Sequence, residues 1–269
     1  MRWATFCYLC LSTMYQKPTQ PALVGGVVDD AVKLYRASFR RCAPIGVLYA
    51  LVSAALDLFV VGFAHHEGLP MTDVESLLAV YQQPPVLAMG LLQMVILLAL
   101  FGAVLVMQDA VVRGEAKLGA VRAIGIGFSR LGRFVLATLI YAVVVVLTLL
   151  LLIVPGIYVS NVLSLYPVLM YVDDVGTQQS FEGSYRLTLG QWWHSATVLG
   201  VAAALLSLIA MVLDFAVGLP ELTGGAGTIG PTVLQLASDA ADVLLLPIMP
   251  AALLALTNDL KLRQRRVGR

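Results

Sequence analysis

Six long apolar stretches dominate the pattern of hydrophobic and polar positions along this chain. A helix needs about 20 apolar residues to cross the hydrocarbon core of a bilayer, and only helices or closed barrels satisfy their backbone hydrogen bonds there. The alternation expected of barrel strands does not occur. The pattern therefore predicts an all-α bundle of six transmembrane helices, forming a single membrane domain over residues 21–260. The predicted spans lie near residues 43–64, 86–108, 134–154, 157–172, 194–217 and 232–256.

Basic residues are confined to alternate segments between these stretches. All 17 Lys and Arg residues fall in four of the seven hydrophilic pieces, and the other three pieces carry none. Because cytoplasmic loops carry an excess of Lys and Arg, the four basic pieces are expected to share the cytoplasmic side. This arrangement predicts a multi-pass protein with cytoplasmic N- and C-termini and a basic cytoplasmic tail at residues 261–269.

The composition agrees with a membrane protein and excludes an ordinary soluble domain. Hydrophobic residues make up 59% of the chain, charged residues only 12%, and the mean hydropathy is +0.88. Cys7, Cys10 and Cys42 all fall on the predicted cytoplasmic side, where thiols stay reduced, so no disulfide is expected. Residues 1–20 are predicted to be disordered or to reflect a start codon assigned too early, with Met14 the true start.

Three of the basic pieces contain an amphipathic stretch that leads directly into a span. In the first, apolar residues recur at helical spacing from Val28 to Phe39, and the others lie at 120–134 and 181–193. Such helices lie in the membrane interface with their basic residues toward anionic headgroups. Their order predicts three repeats of an interfacial amphipathic helix followed by a helical hairpin. The predicted headgroup contacts are Arg36, Arg40, Arg41, Arg130, Arg133, Lys261, Arg263, Arg265 and Arg266.

Prolines and glycines mark two breaks within the apolar stretches. Pro155 and Gly156 separate the third span from the fourth and predict the tight turn of a helical hairpin, because Pro stops one helix and Gly permits the reversal. Pro247 and Pro250 interrupt the sixth stretch and predict a kink. Between the first two spans, residues 72–75 form a capping-box pattern, which predicts a short helix on the outer surface.

A set of motif residues runs through the middle of the chain. The segments Arg122-Ala123-Ile124-Gly125 and Val154-Pro155-Gly156-Ile157 precede Pro167, Asp173, Ser180, Ser184 and Arg186-Leu187-Thr188. On these residues the chain resembles, from about residue 115 to 200, the YciC family of six-span bacterial inner-membrane proteins. It resembles more remotely the membrane domain attached to some glycerophosphodiester phosphodiesterases. The family has no established activity, so the resemblance implies a bacterial inner-membrane location and supplies no catalytic residues.

Four acidic residues lie inside the predicted spans. An ionised Asp near the centre of a helix costs roughly 2.5–3.5 kcal/mol on insertion scales, so these side chains are not expected to face lipid. Stripes of small residues beside each one predict helix contacts, and the acids are expected to converge in the outer half of the bundle. One hypothesis is a proton- or cation-coupled site. The alternative is that Asp214 and Asp239 reach outer-surface water while Asp57 and Asp242 hydrogen-bond between helices.

Sequence signatures of enzymes do not occur in this chain. It has no P-loop, HExxH, GxSxG or GxGD motif. His65, His66 and Glu67 follow the first span, but adjacent His side chains point apart on a helix, so a polar boundary is favoured over a metal site. We therefore expect no catalytic residues, no cofactor and no metal.

Two classes of function remain. The pattern favours a non-enzymatic integral inner-membrane protein that acts in envelope or lipid homeostasis as a scaffold or accessory subunit. The alternative is a proton- or cation-coupled transporter or channel for a lipid or small amphiphile, using the four Asp residues. The predicted partners are membrane lipids, bound through anionic headgroups on the cytoplasmic side. Nucleic acid is not expected, and the sequence names no protein partner.

Overall fold

The computed structural model describes residues 15–69, 74–115, 118–222 and 243–267, in which every regular element is an α-helix. Six helical segments are long and apolar enough to cross a membrane, which confirms the prediction of an all-α, multi-pass membrane protein. The candidate spans are Val24–Glu67, Pro84–Val112, Leu131–Leu151, Ile153–Val172, Trp192–Leu213 and Val243–Arg266. The helices are α1 (Val24–Glu67), α2 (Val74–Tyr81), α3 (Pro84–Val112), α4 (Ala120–Ser129), α5 (Leu131–Leu151), α6 (Ile153–Leu163), α7 (Tyr166–Val172), α8 (Thr177–Thr188), α9 (Trp192–Leu222) and α10 (Ile248–Val267).

Helix α1 joins the first predicted amphipathic stretch to the first span without a break. It has 44 residues, which corresponds to about 66 Å, or about twice the hydrocarbon thickness of a bilayer. The first amphipathic stretch is therefore not a separate interfacial helix, although α4 and α8 are separate helices before their spans. The six spans form three helix pairs in chain order, α1 with α3, α5 with α6 and α9 with α10, and each pair has an amphipathic segment at its start. Their relationship as sequence repeats stays a prediction.

The reversal between the third and fourth spans lies one turn earlier than predicted. Helix α5 ends at Leu151, Leu152 is extended (φ −157°, ψ 130°), and α6 begins at Ile153. Pro155 lies in the first turn of α6, where a backbone N–H has no helical partner to lose. A Cβ at Gly156 would lie 2.5 Å from Leu149 Cδ2, so glycine is required there by the close approach of the two helices and not by the turn itself.

A side chain from α8 satisfies the backbone at the break between α6 and α7. The helix is interrupted by a turn at Ser164 and Leu165, just before Pro167. The Ser184 hydroxyl donates to the Val162 carbonyl at 2.6 Å and accepts from the Leu165 N–H at 3.2 Å. Buried backbone groups that lose their helical partners need such replacements. The sequence motif thus includes a residue that stabilises the interruption.

The sixth span is broken at Leu246 and Pro247, as the prolines predicted. Its candidate span is Val243–Arg266 instead of 232–256, of which residues 232–242 lie outside the described residues. From Ala251 to Leu260 every residue of α10 is buried, including Thr257, Asn258 and Asp259. The helix continues past the predicted end of the span, where these polar residues are enclosed by neighbouring helices, and hydropathy alone does not anticipate this.

The helices pack most closely toward one end of the bundle. In α5 the buried residues are Phe134 and Ala137, near its start, whereas Leu147 and Leu150 are exposed. Apolar surfaces this extensive mark contact with a membrane or a partner. Since they belong to the candidate spans, we assign them to the lipid-facing surface.

Candidate functional site

The helix ends that carry basic residues meet at one end of the bundle, here called the basic end. The last turns of α10 contact the segment before α1 through Ala22, the segment before α9 through Gln191 and the end of α8 through Arg186. The end of α7 and the two residues after it form further polar contacts with the end of α3, the start of α5 and α10, and the start of α4 follows the end of α3. Arg113 donates a hydrogen bond to the Val172 carbonyl at the end of α7. Just after that helix, Asp173 forms an ion pair with Lys261, and Asp174 forms ion pairs with Arg130 and Arg133.

Asp259 is a buried carboxylate of the basic end whose hydrogen-bond and ion-pair partners come from three segments of the chain. One oxygen accepts from Arg263 Nε at 2.7 Å and lies 3.0 Å from His194 Nε2, and the other accepts from the Ala22 backbone N–H at 2.7 Å. The carboxylate side chain is only 6% exposed. A buried charge needs such partners to offset its lost hydration. This Asp259 cluster therefore joins the N-terminal segment, α9 and α10.

The N-terminal segment has a second attachment close by. Tyr15, within the stretch predicted to be disordered, donates a hydrogen bond of 2.8 Å from its hydroxyl to Asp30 on α1. Burial and the adjacent Asp30 carboxylate both raise the pKa of the Tyr15 phenol above its usual value. The phenol therefore stays neutral and remains a hydrogen-bond donor at ordinary pH. The boundary of the membrane domain at residue 21 stays a prediction.

A cleft of about 280 Å³ opens at the basic end between α3 and α4, with α7 behind it. At the back of the cleft, Arg130 donates a hydrogen bond of 2.7 Å to the Tyr171 carbonyl and forms an ion pair of 3.0 Å with Asp174. Arg113 is held at its side by Asp109 at 2.7 Å. The lining residues of this α3–α4 cleft are Val106, Asp109, Ala110, Arg113, Glu115, Leu118, Arg122, Ile126, Arg130, Tyr171 and Val172.

The cations predicted to contact lipid headgroups fall into two groups. The first group already has partners within the protein. Lys261 pairs with Asp173, and Arg263 pairs with Asp259. Arg130 and Arg133 both pair with Asp174, and Arg41 donates a hydrogen bond to the Glu115 carbonyl. The others are exposed and form no ion pair with another described residue. This second group consists of Arg36, Arg40, Arg265 and Arg266. Contact with headgroups stays a prediction for both groups.

The motif residues of the family resemblance lie mainly around the α7–α8 connection. Pro167 lies in the first turn of α7, Ser184 accepts a hydrogen bond from the Leu165 N–H just before it, and Asp173 after its end pairs with Lys261 at 2.6 Å. The Thr188 hydroxyl donates to the Ser184 carbonyl at 2.9 Å. Arg186 is exposed on α8, and Arg122 is exposed on α4. Most of these residues thus have structural contacts, and Arg122 has a side chain open to a ligand.

The predicted intramembrane acids are only partly described. Asp57 is half-buried on α1, and Ser53 one turn before it accepts a hydrogen bond of 3.4 Å from Gln93 on α3. Asp214 belongs to α9, but its side chain lies outside the described residues, as do Asp239 and Asp242 entirely. Their convergence stays a prediction. His66 and Glu67, at the end of α1, lie 3.4 Å apart and are exposed.

Sequence reasoning missed the buried polar residues Asp259, His194 and Gln108. Asp259 and Arg263 stand at i, i+4 spacing on a helix, which is a recognisable ion-pair pattern. Gln108 is fully buried, and its amide donates to the Pro247 carbonyl at 2.7 Å. A Gln at the end of the second apolar stretch, combined with the prolines of the sixth, could have suggested this contact.

The chain matches no known family model, and no solved structure matches it. The resemblance to the YciC family therefore stays a prediction.

Proposed function

We propose that this chain is a non-enzymatic protein of the bacterial inner membrane that acts in envelope or lipid homeostasis as a scaffold or accessory subunit. It binds anionic lipid headgroups at the basic end, which faces the cytoplasm. The observation that carries the proposal is the position of exposed cations that form no ion pair with another described residue, at the end of a bundle whose other spans have apolar, exposed sides. Arg265 and Arg266 on α10 and Arg40 on α1 are examples. Basic residues beside a membrane surface attract anionic lipids.

The orientation is supported by the distribution of charge along the chain. The hydrophilic pieces of the predicted cytoplasmic side hold all 17 Lys and Arg residues. The bacterial location is supported by the resemblance to the YciC family on Arg122, Pro167 and Asp173. The described polar clusters pair with one another through protein groups, which suits a scaffold more than a reaction centre.

Lipid preference of the full-length chain tests the proposed role. The chain is purified in detergent, and native mass spectrometry compares retained phosphatidylglycerol with retained phosphatidylcholine. We expect a preference for the anionic lipid that Arg265→Gln with Arg266→Gln reduces. The matched control is His65→Gln with His66→Gln. It changes two exposed residues at the C-terminal end of α1, away from the basic end, and should leave the preference unchanged. Equal retention of the two lipids by the natural chain would refute the proposed role.

Cysteine labelling tests the orientation. In a background with Cys7, Cys10 and Cys42 replaced by Ala, Leu78→Cys on α2 should react with a membrane-impermeant maleimide applied to intact spheroplasts. Arg265→Cys should react only after the membrane is permeabilised. Both positions are exposed in the structure, so a difference between them reports sidedness and not burial. The reverse pattern would overturn the cytoplasmic assignment of the basic end.

A further inference from the structure

Some charged side chains of the α3–α4 cleft already have ion-pair and hydrogen-bond partners within the protein, and others do not. Arg113 is bound to Asp109, whose side chain is 15% exposed, and to the Val172 carbonyl. Arg130 is bound to Asp174 and to the Tyr171 carbonyl. These pairs form a fixed wall with little net charge.

Two side chains of opposite charge remain at the rim of this cleft. The Arg122 guanidinium and the Glu115 carboxylate are exposed, and neither forms an ion pair or side-chain hydrogen bond with another described residue. The Glu115 backbone is fixed, because its carbonyl accepts a hydrogen bond of 3.0 Å from Arg41 and its N–H donates to the Ala110 carbonyl at 2.8 Å. Among the described residues, the cleft thus presents one unpaired cation and one unpaired anion beside groups that are already paired.

We propose that the α3–α4 cleft binds the headgroup of an ammonium-phosphate lipid, with the phosphate at Arg122 and the primary ammonium at Glu115. A guanidinium binds phosphate oxygens with two parallel hydrogen bonds, and an ammonium donates to a carboxylate as a compact point charge. A purely anionic headgroup would satisfy Arg122 and leave Glu115 facing negative charge. A cleft of about 280 Å³ suits a small headgroup and not the acyl chains.

The surface beside the cleft points to a membrane lipid and not to a soluble phosphate ester. Val121, next to Arg122 on α4, is 85% exposed, and Phe128 on the same helix is 44% exposed. Large apolar side chains on a short amphipathic helix are typical of residues that insert at the membrane interface. Because α4 carries both these residues and Arg122, a lipid held in the membrane can place its headgroup in the cleft.

The test measures binding of short-chain lipids to the full-length chain in detergent. The probes are dihexanoyl phosphatidylethanolamine, dihexanoyl phosphatidylglycerol and the soluble glycerophosphoethanolamine. We expect the ethanolamine lipid to bind about tenfold more tightly than the glycerol lipid, as expected for one added charged hydrogen bond. Glu115→Gln should abolish this difference, and Arg122→Gln should weaken binding of both lipids. Arg186→Gln, which changes an exposed cation on α8 outside the cleft, is the matched control and should change neither.

The outcomes separate this inference from the proposed function on which it rests, since that function supplies the membrane lipid. Equal binding of the two lipids by the natural chain, or an ethanolamine preference that survives Glu115→Gln, would overturn the inference. Equally tight binding of glycerophosphoethanolamine would overturn the assignment to a lipid. If the natural chain retained phosphatidylglycerol and phosphatidylcholine equally but still preferred the ethanolamine lipid in a manner that depends on Glu115, the result would count against the proposed function alone. Melting temperatures of the variants show whether they remain folded.

Discussion

The aromatic ring of Tyr171 lies against Gly102, where α7 crosses α3. A Cβ at Gly102 would overlap the ring and lie 2.5 Å from its hydroxyl oxygen. That hydroxyl donates at 3.3 Å to the carbonyl of Gly127 on α4, which itself lies against the Ala99 carbonyl of α3. Two glycines therefore allow α3, α4 and α7 to meet closely. The same three helices line the α3–α4 cleft, so their packing sets its shape.

Gly102→Ala should destabilise the protein by about 1–3 kcal/mol, the usual cost of overpacking a close contact. The matched control is Gly90→Ala on the same helix, where a Cβ would meet nothing within 4 Å. That change should leave stability unchanged or raise it slightly, because Ala favours a helix over Gly. Thermal unfolding in detergent measures both variants. If Gly102→Ala melts no lower than Gly90→Ala, the ring does not occupy the space above Gly102.

Asp259→Asn should destabilise the protein by about 3 kcal/mol, because removing one partner of a buried ion pair leaves the others uncompensated. Asp259 is 6% exposed, and its partners Arg263 and His194 are 24% and 12% exposed. Asp29→Asn is the control, since Asp29 forms an exposed pair with Lys33 at the same i, i+4 spacing. Exposed pairs contribute little, so this variant should melt like the natural chain. Equal melting temperatures for the two variants would show that the cluster is not a structural anchor.

The stability contributed by Tyr15 should depend on pH in the alkaline range. Burial and Asp30 raise the pKa of the folded-state phenol above the unfolded value of 10.0. A raised pKa means that the contribution is fully present below the unfolded pKa and is lost as pH rises above it, when the unfolded chain ionises first. The stability difference between the natural chain and Tyr15→Phe should therefore be constant from about pH 7 to 9 and shrink above about pH 10. Denaturant titrations at each pH measure it, and a constant difference up to pH 11 would contradict the Tyr15–Asp30 contact.

The number and order of the spans followed from the sequence because hydropathy over long windows records a physical requirement of the bilayer. The precise ends did not follow. Leu152 reverses the chain before Pro155, since the hairpin is set by how closely Gly156 approaches Leu149, a contact between helices that no local pattern contains. The length of α1 was missed for a related reason. Its amphipathic first half packs along α10, so it continues into the span instead of bending away.

The basic end was predictable in composition but not in arrangement. Charge distribution located Arg130, Lys261 and Arg263 on one side, and the structure brings them to one end of the bundle. Their carboxylate partners come from distant segments, as with Asp173 and Lys261, which are 88 residues apart. Pairing over such separations depends on the packed fold. The unpaired state of Arg122 and Glu115 could be identified only after the partners of the other charges were known.

Asp57 distinguishes the proposed scaffold from the transport alternative, in which intramembrane acids carry a proton or cation. It lies half-buried on α1, one turn beyond the Ser53–Gln93 contact that joins α1 to α3. Asp57→Asn keeps the shape and hydrogen-bonding capacity of the side chain but removes its charge. We therefore expect unchanged folding and lipid preference, and no proton or cation uptake by proteoliposomes of either the natural chain or the variant. Uptake by the natural chain that Asp57→Asn abolishes, while both proteins melt at the same temperature, would establish a coupled transporter and overturn the scaffold proposal.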